Sequence, residues 1–197
     1  MLAACSYTTS WDQRDPHVDG VVAYVPSYVV WGAVGTDDPK GPSGWSWHGR
    51  PLHFVPITDS VPKGQNAFTV ALRNKVATAA ARIPVERIHG PVLLVGSDAD
   101  AIWPSGMMAR TIAKELKESH FGFPVTLLVF NDASHRLFGQ GPSPISQTYT
   151  YPGGSSIFQF GGTAEGTHAG RDRAWAALGN YLKSLNSQRK TSENTNS

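Results

Sequence analysis

Asp98, Asp100 and His135 are the side chains whose types and placement point to chemistry. The two acids follow the apolar run Val92-Leu-Leu-Val95, and the histidine follows Val125-Thr-Leu-Leu-Val-Phe130 in Asn131-Asp-Ala-Ser-His135. A carboxylate that accepts the imidazole Nδ1 proton fixes the tautomer and stabilises the imidazolium. The other ring nitrogen can then take a proton from a serine or cysteine nucleophile. Taken alone, an Asp after an apolar run is more commonly a turn or helix cap, and a loop histidine more commonly bonds backbone. Taken together, each after a strand-like run and separated by one helical pattern, they point to an acid–base pair. The seven histidines are scattered, without H-E-x-x-H or a close pair, so neither a metal site nor a cofactor is expected.

The elements that must position these groups are legible around them. Val21-Val-Ala-Tyr-Val25, closed by Pro26, reads as a buried parallel strand, and Val92–Val95 and Val125–Phe130 read as the second and third strands. Between the last two, Ser105 is a candidate N-cap, and Met108, Ile112, Ala113 and Leu116 follow at helical spacing as far as Ser119-His120. Residues 66–81 carry weak helical character. Arg171 to Leu185 reads as a closing amphipathic helix, with Ala174, Trp175, Leu178, Tyr181 and Leu182 on one side. Strands alternating with helices predict an α/β layer with a mostly parallel sheet flanked by helices. In such a sheet functional groups gather just past the carboxyl ends of strands, where Asp98, Asp100 and His135 lie.

Two stretches show no clean period: Pro26 to about Lys63, which holds Trp31, Trp45 and Trp47, and Leu137 to Gly162. The first either shapes an apolar pocket or covers the sheet with aromatic rings. The chain has 197 residues, 40% of them hydrophobic and 16% charged, which is globular and suits one domain over residues 1–185, with a polar tail at 186–197 expected to be disordered. A net charge of +2 is too small to argue for nucleic acid or a membrane surface. No apolar run approaches the ~20 residues of a membrane helix. One cysteine excludes an internal disulfide and suits a reducing compartment, the cytoplasm by default.

The nucleophile is the missing part. In the order Ser, acid, His it should lie before Val21, on a G-x-S-x-G elbow. Gly41-Pro-Ser43-Gly44 lacks the second spaced glycine, and Gly141-Pro-Ser143-Pro144 places proline where a helix must start. Ser27 stands behind Pro26 without a glycine frame, and Cys5 and Ser6 follow no strand. The count of three strands also suggests further strands upstream, and an exposed sheet edge beside Val21–Val25 could pair with another chain.

An ordered series of short segments carries a resemblance. Val21-Val-Ala-Tyr-Val-Pro-Ser27-Tyr-Val-Val-Trp31, Trp47-His-Gly-Arg-Pro-Leu52, Ile83-Pro-Val-Glu-Arg-Ile88, Asp100-Ala-Ile-Trp-Pro-Ser105, Asp132-Ala-Ser-His135 and Gly161-Gly-Thr-Ala-Glu165 together resemble the C-terminal domain of the acyl-CoA thioester hydrolase / bile-acid-CoA:amino-acid N-acyltransferase family. The resemblance implies the C-terminal part of an α/β-hydrolase fold, an acyl-CoA substrate, and cleavage or transfer of a fatty-acyl thioester. It makes Asp100, directly before the x-x-Trp-Pro segment, the triad acid and His135 the base; Trp31 and Trp103 are, separately, candidate substrate contacts. The family's nucleophile, Ser or Cys, precedes the part that matches. The expectation is therefore a fragment holding acid and base without nucleophile, impaired alone. An N-acyltransferase and a non-catalytic acyl- or partner-binding module are the competing readings.

Overall fold

The computed structural model describes residues 19–33, 42–57, 61–151 and 154–195. Its main sheet has three parallel strands, β1 (Val21–Tyr24), β4 (Val92–Ser97) and β5 (Val125–Phe130), in the order β1-β4-β5. Two small antiparallel ladders accompany it: β2 (Ser46–Trp47) with β3 (Arg50–Pro51), and β6 (Ser146–Tyr151) with β7 (Gly154–Gln159). The helices are α1 (Ala67–Ala71), α2 (Lys75–Ala80), α3 (Ser105–Glu118) and α4 (Ala164–Thr195). The chain is thus an α/β protein with a small parallel sheet.

The middle strand explains why the sheet holds. Every residue of β4 is buried, and successive side chains point to opposite faces. Val92 and Leu94 pack with Ala109, Ile112 and Leu116 of α3. Leu93 and Val95 pack with Leu137 and with Ala174, Leu178 and Tyr181 of α4. Removing each of these four β4 side chains from water stabilises the fold by about 1.5–3 kcal/mol. A strand covered on both faces reads as a continuous apolar run, which is how the sequence presents it.

Register then sets where the chemistry falls. Val92 pairs with Val125 and Ser97 with Phe130, so β4 and β5 end level. The turns that follow them start at one rim.

Several local details differ from expectation. The helical stretch over residues 66–81 is two short helices: Asn66 caps the first by accepting Thr69 N–H, and Asn74, between them, starts the second by accepting Ala77 N–H. Ser105 is the first helical residue and not the N-cap: Pro104 takes that position, and the Ser105 hydroxyl accepts from Ser97 N and donates to Ser97 O. The stretch 137–162 contains the β6–β7 hairpin. The last helix begins before Arg171 and continues past Leu185 to Thr195.

Candidate functional site

Asp100 lies three residues past β4, in a turn that its own carboxylate organises. Oδ1 accepts the backbone N–H groups of Ile102 (2.9 Å) and Trp103 (3.2 Å). Short polar side chains fold back on the following backbone in this way. Oδ2 is left for the imidazole, and His135 Nδ1 stands 2.9 Å from it. The Asp100 side chain is 0% exposed and that of His135 is 22% exposed. A carboxylate taken out of water is tolerated when hydrogen bonds replace its hydration, and here three do. An ionised carboxylate only accepts, so a proton shared in this bond belongs to Nδ1, the tautomer in which Nε2 carries the lone pair. Among the described residues no side chain hydrogen-bonds Nε2.

Asp98, two residues earlier, has other work. Arg110 on α3 donates to both of its oxygens, at 2.6 and 2.7 Å. That fork holds the Asp98 carboxyl below the usual carboxylate range. The pair is half exposed and fixes the turn at the start of α3.

The loop that ends in His135 is seated by backbone. Ser97 Oγ reaches the carbonyls of Phe130 (3.0 Å) and Ala133 (2.6 Å), tying the end of β4 to the segment before His135. The carbonyl of Phe160 accepts from both Ala101 N (3.2 Å) and His135 N (2.8 Å), so one oxygen joins the acid turn to the base loop. Past Phe160 the chain turns sharply through Gly161 (φ +78) and Gly162 (φ +64). A side chain at Gly162 would strike the backbone of Asp132, Ala133 and Ser134. Thr163 N then donates to Asp132 O, and Thr167 Oγ1 accepts Ser134 N, so the first turn of α4 grips the same loop.

An aromatic row leads away from His135. Trp103 meets the His135 ring edge-on at 5.2 Å, Phe68 meets Trp103 at 5.5 Å, and Trp31 meets Phe68 at 4.9 Å. The Trp103 indole N–H donates to Val25 O. Val25 has φ +42, a strained conformation for a β-branched residue. The Trp31 indole N–H is buried without a partner among the described residues. Trp103 therefore borders His135 directly, whereas Trp31 reaches it only through Phe68. An apolar hollow lined by Val21, Pro26, Ile83 and Ile112, among others, contains neither Asp100 nor His135 in its lining.

The serines named from sequence are held elsewhere. Ser27 Oγ donates to Val29 O and accepts Val29 N, and Ser43 Oγ accepts Trp45 N. Ser143 is buried and makes no hydrogen bond with His135. Cys5 and Ser6 lie outside the described residues. Sequence reasoning also missed Asn66, whose Nδ2 donates to Ala101 O (3.2 Å) and Ile102 O (2.8 Å) in the acid turn. An asparagine before a helical stretch is a cap by type, a signal that could have found its bond to Thr69 N but not this second one.

No helix among the described residues is long and apolar enough to cross a membrane. A family model described as BAAT / acyl-CoA thioester hydrolase C terminal matches residues 59–187. No curated protein matches the chain.

Proposed function

The chain belongs to the BAAT / acyl-CoA thioester hydrolase C-terminal family, and on that premise we propose that Asp100 and His135 are the acid and base of an acyl-transfer centre acting on fatty-acyl thioesters of coenzyme A, in an α/β-hydrolase scaffold. The observation that carries this reading is the 2.9 Å approach of His135 Nδ1 to an Asp100 carboxylate whose side chain is fully buried.

In this mechanism Nε2 of His135 takes the proton of a Ser or Cys nucleophile as it attacks the thioester carbonyl. The resulting imidazolium, held by Asp100, returns that proton to the departing thiolate, giving free thiol and an acyl-enzyme. Water then adds to the acyl carbonyl with His135 again as base. Its proton passes through the imidazole to the nucleophile's oxygen or sulfur, releasing the fatty acid. An amine in place of water would give an amide. No described serine hydrogen-bonds Nε2, so the nucleophile is proposed to come from outside the described residues.

Release of free coenzyme A from palmitoyl-CoA, followed with a thiol reagent, tests the reading. Hydrolysis by the wild type that falls at least ~10³-fold in His135→Ala supports it. Equal rates in the two proteins remove His135 from the mechanism. An N-acyl product formed only with an amino acid present would favour the acyltransferase. Binding of palmitoyl-CoA without turnover would favour a non-catalytic acyl-binding module.

A further inference from the structure

We infer that Asn66 is a positioning residue for the acid, acting through the carbonyl side of the Asp100 turn. The inference rests on the acid–base reading above. Asp100 Oδ1 holds the turn from its N–H side, through Ile102 N and Trp103 N. Asn66 Nδ2 holds the same turn from its carbonyl side, through Ala101 O and Ile102 O. The peptide groups around Ile102 are thus pinned from both directions, N–H to the acid and C=O to the amide. Sequence gives no hint of this, because 35 and 36 residues separate the partners.

The chemistry requires an amide. Asn66 sits at the N-cap of α1 in extended conformation, and its Oδ1 accepts Thr69 N at 3.1 Å. Its two N–H bonds are then free for the two carbonyls, so all three contacts need one acceptor and two donors on one short side chain. Serine or aspartate would cap α1 equally well and could not make the two donor bonds. The same helix carries Phe68, which packs against Trp103 beside the base. Loss of the amide would release the carbonyl side of the turn and leave it held by the N–H groups that Asp100 accepts and by the Ala101 N–H bond to Phe160 O, and small displacements of a catalytic group are costly in rate.

Asn74 provides a matched control. It caps α2 through the same kind of bond, accepting Ala77 N at 3.1 Å, and makes no hydrogen bond to the acid turn among the described residues. Asn66→Ser, Asn66→Asp and Asn74→Ser are compared with wild type by proton NMR of the His135 Nδ1–H, assigned by its disappearance in His135→Gln. The expected result is an upfield shift and faster solvent exchange in both Asn66 variants, with Asn74→Ser unchanged and helix content retained in all three. Where the wild type turns over palmitoyl-CoA, kcat should fall about 10–100-fold in Asn66→Ser with KM little changed. An Nδ1–H signal in both Asn66 variants that matches wild type in position and exchange overturns the assignment. A wild type lacking that signal overturns the Asp100–His135 pair and this inference with it. A wild type showing the signal without hydrolysis overturns the proposed function and leaves Asn66 to be decided by the NMR comparison.

Discussion

Asp98 and Asp100 stand two residues apart in one turn and are held by different partners: Arg110 takes both oxygens of Asp98, whereas Asp100 gives Oδ2 to His135 and Oδ1 to backbone. The two acids are therefore separable by mutation. Asp100→Asn should lower thioester hydrolysis about 10³–10⁴-fold, because an amide there leaves the imidazole in the wrong tautomer. Asp98→Asn breaks a half-exposed ion pair and should change the rate by no more than about twofold. Steady-state kinetics on both variants checks this, and a larger loss in Asp98→Asn would reverse the assignment.

Gly162→Ala should damage the fold and the site together. The residue sits at φ +64, and its added carbon would overlap the backbone of the loop that ends in His135. A destabilisation of about 3 kcal/mol or more is expected from backbone strain and forced displacement. Urea unfolding monitored by tryptophan fluorescence measures it, and a change under about 1 kcal/mol would show that the loop yields easily.

Tyr181 predicts the alkaline limit of stability. Its hydroxyl is buried against β1 and donates to Pro91 O at 2.7 Å. Burial pushes its pKa up to about 12. A group more easily kept neutral in the folded state stabilises the fold below its unfolded pKa of about 10. That contribution, on the order of 2–3 kcal/mol, is lost as pH rises from about 10 to 12. Tyr181→Phe should be about 1 kcal/mol less stable at neutral pH and lose less stability over that alkaline window. Pro91 O keeps the Val21 N–H in the variant. Parallel slopes for the two proteins above pH 10 would refute the account.

His120→Gly should stabilise the protein. α3 ends with Phe121 N on Leu116 O and His120 N on Lys117 O, and His120 carries φ +54. This left-handed closure favours glycine. Relief of the strain, less the extra chain entropy of glycine, should gain about 0.5–1 kcal/mol. A melting temperature at or below wild type would contradict it.

How much of this was readable in the sequence depended on whether the deciding contact was local. The three strands of the sheet are β-branched runs bounded by turns, and burial on both faces wrote Val92–Val95 as a continuous apolar word. The β6–β7 hairpin was legible in principle, since Thr148-Tyr-Thr-Tyr151 and Ile157-Phe158 flank Pro152-Gly153, but the surrounding serines and glycines masked its period. Asn74 divides the helical stretch between 66 and 81 because a capping side chain competes with helix continuation. Ser105 looked like a cap by type, yet its hydroxyl was claimed by Ser97 across the sheet end. Position after a strand marks Asp98, Asp100 and His135 alike, and the preference for Asp100 over Asp98 comes from the resemblance, through the x-x-Trp-Pro segment that follows it. The Asn66 amide and the Phe160 carbonyl act across long separations, which no spacing reveals.

The junction at Phe160 has a consequence for how such proteins diverge. The atom that fastens the acid turn to the base loop belongs to the main chain, so the identity of the amino acid at position 160 is largely immaterial to it. Substitutions there can drift without loosening the pair. Lengthening or shortening the path from Phe160 to Thr163 by a single residue would move that oxygen out of reach of one partner or both. Comparisons among relatives should therefore find this junction preserved as spacing and glycine placement, not as a letter.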